Sequence, residues 1–112
     1  MKTTVANVRR DAALIRQATA EGRYVYVGRG RGSKWGNPFT FKGGTLADFV
    51  VPKDEVLPQF EAWLREQPAL MAALPELRGK VLGCWCKPGP CHGDILARLA
   101  DEGTTRRGEG DV

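Results

Sequence analysis

No stretch of this 112-residue chain approaches the roughly 18 consecutive apolar residues that a membrane-spanning helix needs. Met1 to Arg10 lack the continuous apolar core of a secretory signal, so the expectation is a cytoplasmic location and no membrane partner. Cysteine is scarce and odd in number, three in all, which argues against a disulfide framework. Histidine occurs once, and no internal repeat is visible. With 42% hydrophobic and 27% charged residues, wholesale disorder is excluded. Glycine and proline are plentiful instead. The 14 Gly and 7 Pro exceed the roughly 12% background and imply tight loops, leaving less chain for a core that a staple would then reinforce. The length fits one domain, read as residues 1–103, followed by a flexible C-terminal tail over 104–112 that has no apolar periodicity.

Charge is unevenly spread. Residues 1–44 hold nine Lys or Arg against two acids, residues 45–79 carry −3, and residues 80–112 balance. The basic excess is therefore N-terminal. Gathered on one surface, it would attract phosphate or nucleic acid in a salt-dependent way; a solvated face without a partner is the plainer reading.

Val5 to Val8 has two β-branched residues and predicts a short strand before Arg9 and Arg10 break the apolar pattern. Asp11 to Glu21 predicts a helix with Leu14, Ile15 and Ala18 on one face and Gly22 as its stop. Arg23 to Val27 is strongly β-prone. Phe39 to Val51 carries no assignable pattern. Lys53 to Gln67 reads as an amphipathic helix through Val56, Leu57, Phe60, Trp63 and Leu64, with Pro58 in its first turns; Pro68 ends or offsets it, and Leu70, Met71 and Leu74 suit a second short helix before Pro75. Trp63 and Met71 belong to the core on this spacing. Lys80 to Cys86 predicts a strand, and a helix starts near Cys91 and runs to Gly103. This order predicts an α/β fold: one small domain with a short, mostly parallel sheet and helices packed on it, compatible with a Rossmann-like three-layer arrangement.

Two segments carry chemistry. From Gly28 to Phe39 the chain has four Gly and three cations without an acid. Such a loop can turn backbone N–H groups toward an anion, although no Gly-Lys-Ser/Thr ends it and it is not a Walker loop. Gly28, Arg29, Gly30, Lys34, Trp35 and Asn37 are its candidate ligand-binding residues. Trp35 suits stacking on a base or anchoring its own loop in the core, and Asn37 suits a ligand edge or its own turn.

The second segment is Cys84-x-Cys86-x4-Cys91-His92, which holds every cysteine and the one histidine. In a strand, Cys84 and Cys86 share a face and Trp85 takes the other. Cys84, Cys86, Cys91 and His92 together offer a donor set for a structural zinc, at a spacing unlike the common C-x2-C pairs. A catalytic alternative places Cys91 at a helix N-terminus as a nucleophile, with His92 as acid or base and Asp94 as an orienting group. Buried thiols, a helix-start histidine and an aspartate favourable to the helix dipole make the structural alternative.

Tyr24 to Gly30, Ser33-Lys34-Trp35-Gly36-Asn37-Pro38-Phe39, Leu77 to Pro88 with its C-W-C core, and Cys91-His92-Gly93-Asp94-Ile95-Leu96 occur in that order. Together they resemble the domain-of-unknown-function family numbered 4326, found in bacteria and phages, over roughly residues 5 to 100. The resemblance marks Gly28, Arg29, Lys34, Trp35, Asn37, Cys84, Cys86, Cys91, His92 and Asp94 as candidate site positions and assigns none of them a role. The leading expectation is a domain that binds a phosphate-bearing ligand, nucleotide or nucleic acid, where the basic loop meets the Cys/His cluster. The alternatives are an enzyme acting on a nucleotide-like substrate through Cys91 and His92, and a zinc-stabilised, phage-encoded module that engages a protein partner.

Overall fold

The computed structural model describes residues 2–29, 33–40, 49–85 and 91–110, the last eight by backbone alone. Strand β1 (Thr4–Asn7), helix α1 (Ala12–Ala20) and strand β2 (Tyr24–Tyr26) come first, followed by the two-residue strands β3 (Phe39–Thr40) and β4 (Phe49–Val50). A 3-10 turn over Lys53–Glu55 leads into α2 (Val56–Arg65), then α3 (Pro68–Ala73), strand β5 (Val81–Cys84) and α4 (His92–Gly110). Pro58 does fall in the first turn of α2, where its missing N–H costs the helix nothing, and Pro68 starts α3 for the same reason. Past Glu21, Gly22 takes φ +72°, a left-handed turn that ends α1 and that a side chain would oppose.

The main sheet is parallel with the order β1-β5-β2. Val5 sits opposite Leu82 on one side of β5, and Val25 sits opposite the same Leu82 on the other. All four residues of β5 are buried, as expected for a central parallel strand covered on both faces. One face, with Ala6, Val81 and Tyr24, packs on Ile15 and Ala18 of α1. The other, with Leu82, Cys84 and Val27, packs on Phe60 and Leu64 of α2 and on Leu96 of α4. Helices thus cover both sides, which is the three-layer α/β arrangement. Each fully buried Leu or Phe stabilises it by about 1.5–3 kcal/mol. A separate parallel pair, β3-β4, stacks Phe39 on Phe49 with centroids 5.2 Å apart.

Three expectations change. Leu14 is exposed, because α1 rests on the sheet along the Ile15–Ala18 row and Leu14 lies outside it. Strand β5 ends at Cys84, short of the expected run to Cys86, and the Cys84 carbonyl accepts from the Val8 N–H; Cys86 lies outside the described residues. Helix α4 continues to Gly110, past the Gly103 stop expected from sequence.

Candidate functional site

The three parallel strands end side by side, and the segments leaving their carboxyl ends meet there. In open α/β sheets this is the edge at which ligands bind. Asn7, the last residue of β1, organises it. Its Oδ1 accepts from the N–H groups of Arg9 and Arg10, both at 2.8 Å, which turns the chain and sends both arginines to the surface. Its Nδ2 donates to the Trp85 carbonyl at 3.3 Å, tying the end of β1 to the end of β5. Trp85 is 50% exposed. Its indole N–H donates to the Tyr26 hydroxyl at 2.9 Å, which in turn donates to the Arg29 carbonyl at 3.0 Å. The Arg9 guanidinium lies over the ring, 6.0 Å from its centroid.

Apart from Lys34, the described part of the basic loop turns inward. Arg29 donates through Nε to the Asn37 carbonyl and through Nη2 to the Phe39 carbonyl, both at 2.7 Å, closing the loop on itself. Trp35 is buried, and its backbone N–H donates to Ser33 Oγ. Asn37 Oδ1 accepts from the Phe39 N–H at 2.8 Å, the local turn role open to asparagine. Lys34 is exposed, pairs with Glu76 at 3.5 Å and lies 5.4 Å from the Trp35 ring centroid. A Cβ on Gly28 would meet the Tyr26 ring, 2.9 Å from its Cε1, so Gly28 is where that ring lies on the backbone. Gly30, with Arg31 and Gly32, lies outside the described residues.

Beneath this surface sit the thiols. Cys91 immediately precedes α4, and its sulfur accepts from the Gly93 N–H at 3.3 Å, in the manner of a capping side chain. It donates to the Cys84 sulfur at 2.8 Å, and both cysteines are fully buried. His92 Nε2 is 2.7 Å from the Val27 carbonyl. A carbonyl only accepts, so Nε2 carries the proton and Nδ1 presents its lone pair 3.9 Å from Cys91 Sγ. Phe60 meets the imidazole edge-on with centroids 5.3 Å apart. Burial holds His92 below its ordinary value of 6.5, against the opposing pull of the Val27 bond, so the ring is neutral near pH 7. Asp94 is half-buried and donates its N–H to the Cys91 carbonyl at 3.0 Å.

The structure therefore brings Cys84, Cys91 and His92 together and turns the described part of the Arg29 loop to its own support. Among the described residues no group of three His, Cys, Asp or Glu is placed to hold a metal ion, and Cys86, the remaining donor expected for zinc, is not among them. Asn7, Arg9, Tyr26 and Trp85 were not singled out from the sequence. The available signal was slight: an Asn two residues before an Arg pair, and a Trp at the end of a strand followed by proline-rich turn chemistry.

Two relatives share part of the chain. An uncharacterised 12.4 kDa protein of the nrdA-td intergenic region of Enterobacteria phage T4 is 38% identical over 73 residues, 63% of each chain. An uncharacterised protein of Acanthamoeba polyphaga mimivirus is 35% identical over 75 residues, 60% of this chain and 52% of its own length. The chain thus covers less than two thirds of either relative. No solved structure matches it significantly. The family described as Domain of unknown function (DUF4326) matches residues 7–102, which take in β2, β5, the Arg29 loop and the Cys/His cluster, and this chain belongs to it.

Proposed function

We propose that this protein binds a nucleotide unit, free or within a single strand of nucleic acid, at the carboxyl edge of its sheet, with the base on Trp85 and the phosphate on Arg9 and Arg10. One observation carries the reading: a half-exposed indole held in one orientation by the Tyr26 hydroxyl, with a guanidinium already over it, at the end of the central strand. Large apolar rings are ordinarily buried or left to move at the surface, and a fixed one beside cations suits a base and its phosphate. The N-terminal basic excess favours the same class of ligand.

A second reading, thiol chemistry on a nucleotide-like substrate, draws on the 3.9 Å approach of His92 Nδ1 to the Cys91 sulfur. That sulfur is fully buried, so the exposed indole supports binding better than the thiol supports turnover.

The test is fluorescence anisotropy with a labelled thymidine oligomer, competed by the mononucleotide. Trp85→Ala should weaken binding by about 1–3 kcal/mol, roughly 5- to 150-fold, while Trp85→Phe keeps most of it. Competition by the mononucleotide at comparable concentration assigns a free nucleotide, and its failure assigns the strand. If the alanine variant binds both probes as the parent does, or the parent binds neither, the proposal fails.

A further inference from the structure

Two thiols of a folded protein rarely meet sulfur to sulfur. Here Cys84 closes the central strand and Cys91 opens α4, and the packing of α4 on β5 sets their sulfurs 2.8 Å apart. A disulfide bond is about 2.05 Å long, so closure requires less than an ångström of approach along a line the sulfurs already share. The two are not equivalent. Cys91 lies at the start of α4 with the Gly93 N–H directed at its sulfur, and Cys84 lies at the end of the central strand beside it. This is the arrangement of an attacking thiol and a resolving thiol.

We infer that Cys84 and Cys91 form a redox-active dithiol that a hydroperoxide closes to a disulfide and a dithiol reductant reopens. In the first step the Cys91 sulfur forms a bond to one oxygen of hydrogen peroxide as the O–O bond breaks; its thiol proton leaves with the departing hydroxide as water, and Cys91 becomes a sulfenic acid. In the second, the Cys84 sulfur displaces the sulfenic hydroxyl. The S–S bond forms, the S–O bond breaks, and the Cys84 proton completes a second water. Two electrons pass from the sulfurs to the peroxide. Both sulfurs are fully buried, so peroxide and dithiol alike reach them as the packing of α4 on β5 opens locally. The inference is independent of the binding surface proposed above.

The experiment treats the full, reduced chain with stoichiometric hydrogen peroxide and reads intact mass and tandem mass spectra, together with metal content. The expected result is the loss of two hydrogens in a monomer, a bond located between Cys84 and Cys91, and full reversal by dithiothreitol. Cys84→Ser and Cys91→Ser should lose the bond, but the result on the parent decides, since either variant could disturb the core. An unchanged mass, a bond to Cys86 or between chains, or zinc at one per chain with thiols that react only after chelation would each overturn the inference.

Discussion

Arg29 shows how a residue that looks made for a ligand can serve the fold. Its guanidinium bonds two carbonyls of its own loop, and Trp35 and Asn37 likewise turn to the protein. A sequence counts the cations and glycines of such a loop but does not say which oxygens a guanidinium will face. The Cys/His cluster was more legible, because its members lie within nine residues, between the end of a β-prone run and the start of a helix. His92 carries a prediction at this scale. Burial lowers its folded pKa below the 6.5 of an ordinary imidazole, so the unfolded chain takes up the proton first as pH falls. Its contribution is whole above about pH 6.5 and is lost as pH falls from there toward the folded value. The urea midpoint should therefore drop between pH 7.5 and 5, and His92→Gln, which keeps an N–H for Val27, should flatten that drop. Glu61, held low first by Arg65 and also by Arg98, acts in the more acidic carboxylate range and leaves this window to the histidine.

At the scale of elements, the three main strands and the helices were readable because each has a period or a stop of its own, as at Gly22 and Pro68. Strands β3 and β4 were not, since two residues hold no alternation and the pair is defined by backbone bonds from Phe49 to Pro38 and from Val51 to Thr40 and by the Phe39–Phe49 stacking. Nor does a sequence reveal which row of a short helix meets the sheet, hence the exposed Leu14. The central strand depends on a glycine. A Cβ on Gly83 would fall 2.7 Å from the Tyr24 ring carbons, because that tyrosine reaches from β2 across β5. Gly83→Ala should cost about 1–3 kcal/mol by crowding that ring off the sheet. If the crowding is the cause, the cost measured by denaturant unfolding shrinks when Tyr24→Ala is also present; additive losses would point elsewhere.

Over the whole molecule, the +4 net charge is unevenly drawn from the N-terminal third; one of its arginines, Arg9, lies over the exposed indole, and Arg10 follows it on the same exposed turn. Single-stranded nucleic acid releases counterions where cations replace them, with a slope of log affinity on log salt of about −0.7 per contact. Exchanging Arg9 and Arg10 for Ala should therefore flatten the slope for the thymidine oligomer by about 1.4, if each contacts one phosphate. An unchanged slope would remove both from the interface. The composition announced the charge; its focus at the carboxyl edge followed from Asn7, whose side chain no pattern distinguishes from any other turn asparagine.

The strand order also bears on how the protein is made. β1 and β2 are complete by Tyr26, yet neither pairs with the other; both pair with β5, which begins at Val81. On the ribosome the two outer strands emerge early and stay without hydrogen-bond partners until most of the chain has been synthesised. The sheet then assembles in one late event, as the last strand enters between the first two. During translation, Val5, Val25 and their neighbours are open to pairing with other chains, so the nascent protein is at its most chaperone-dependent just before its centre arrives.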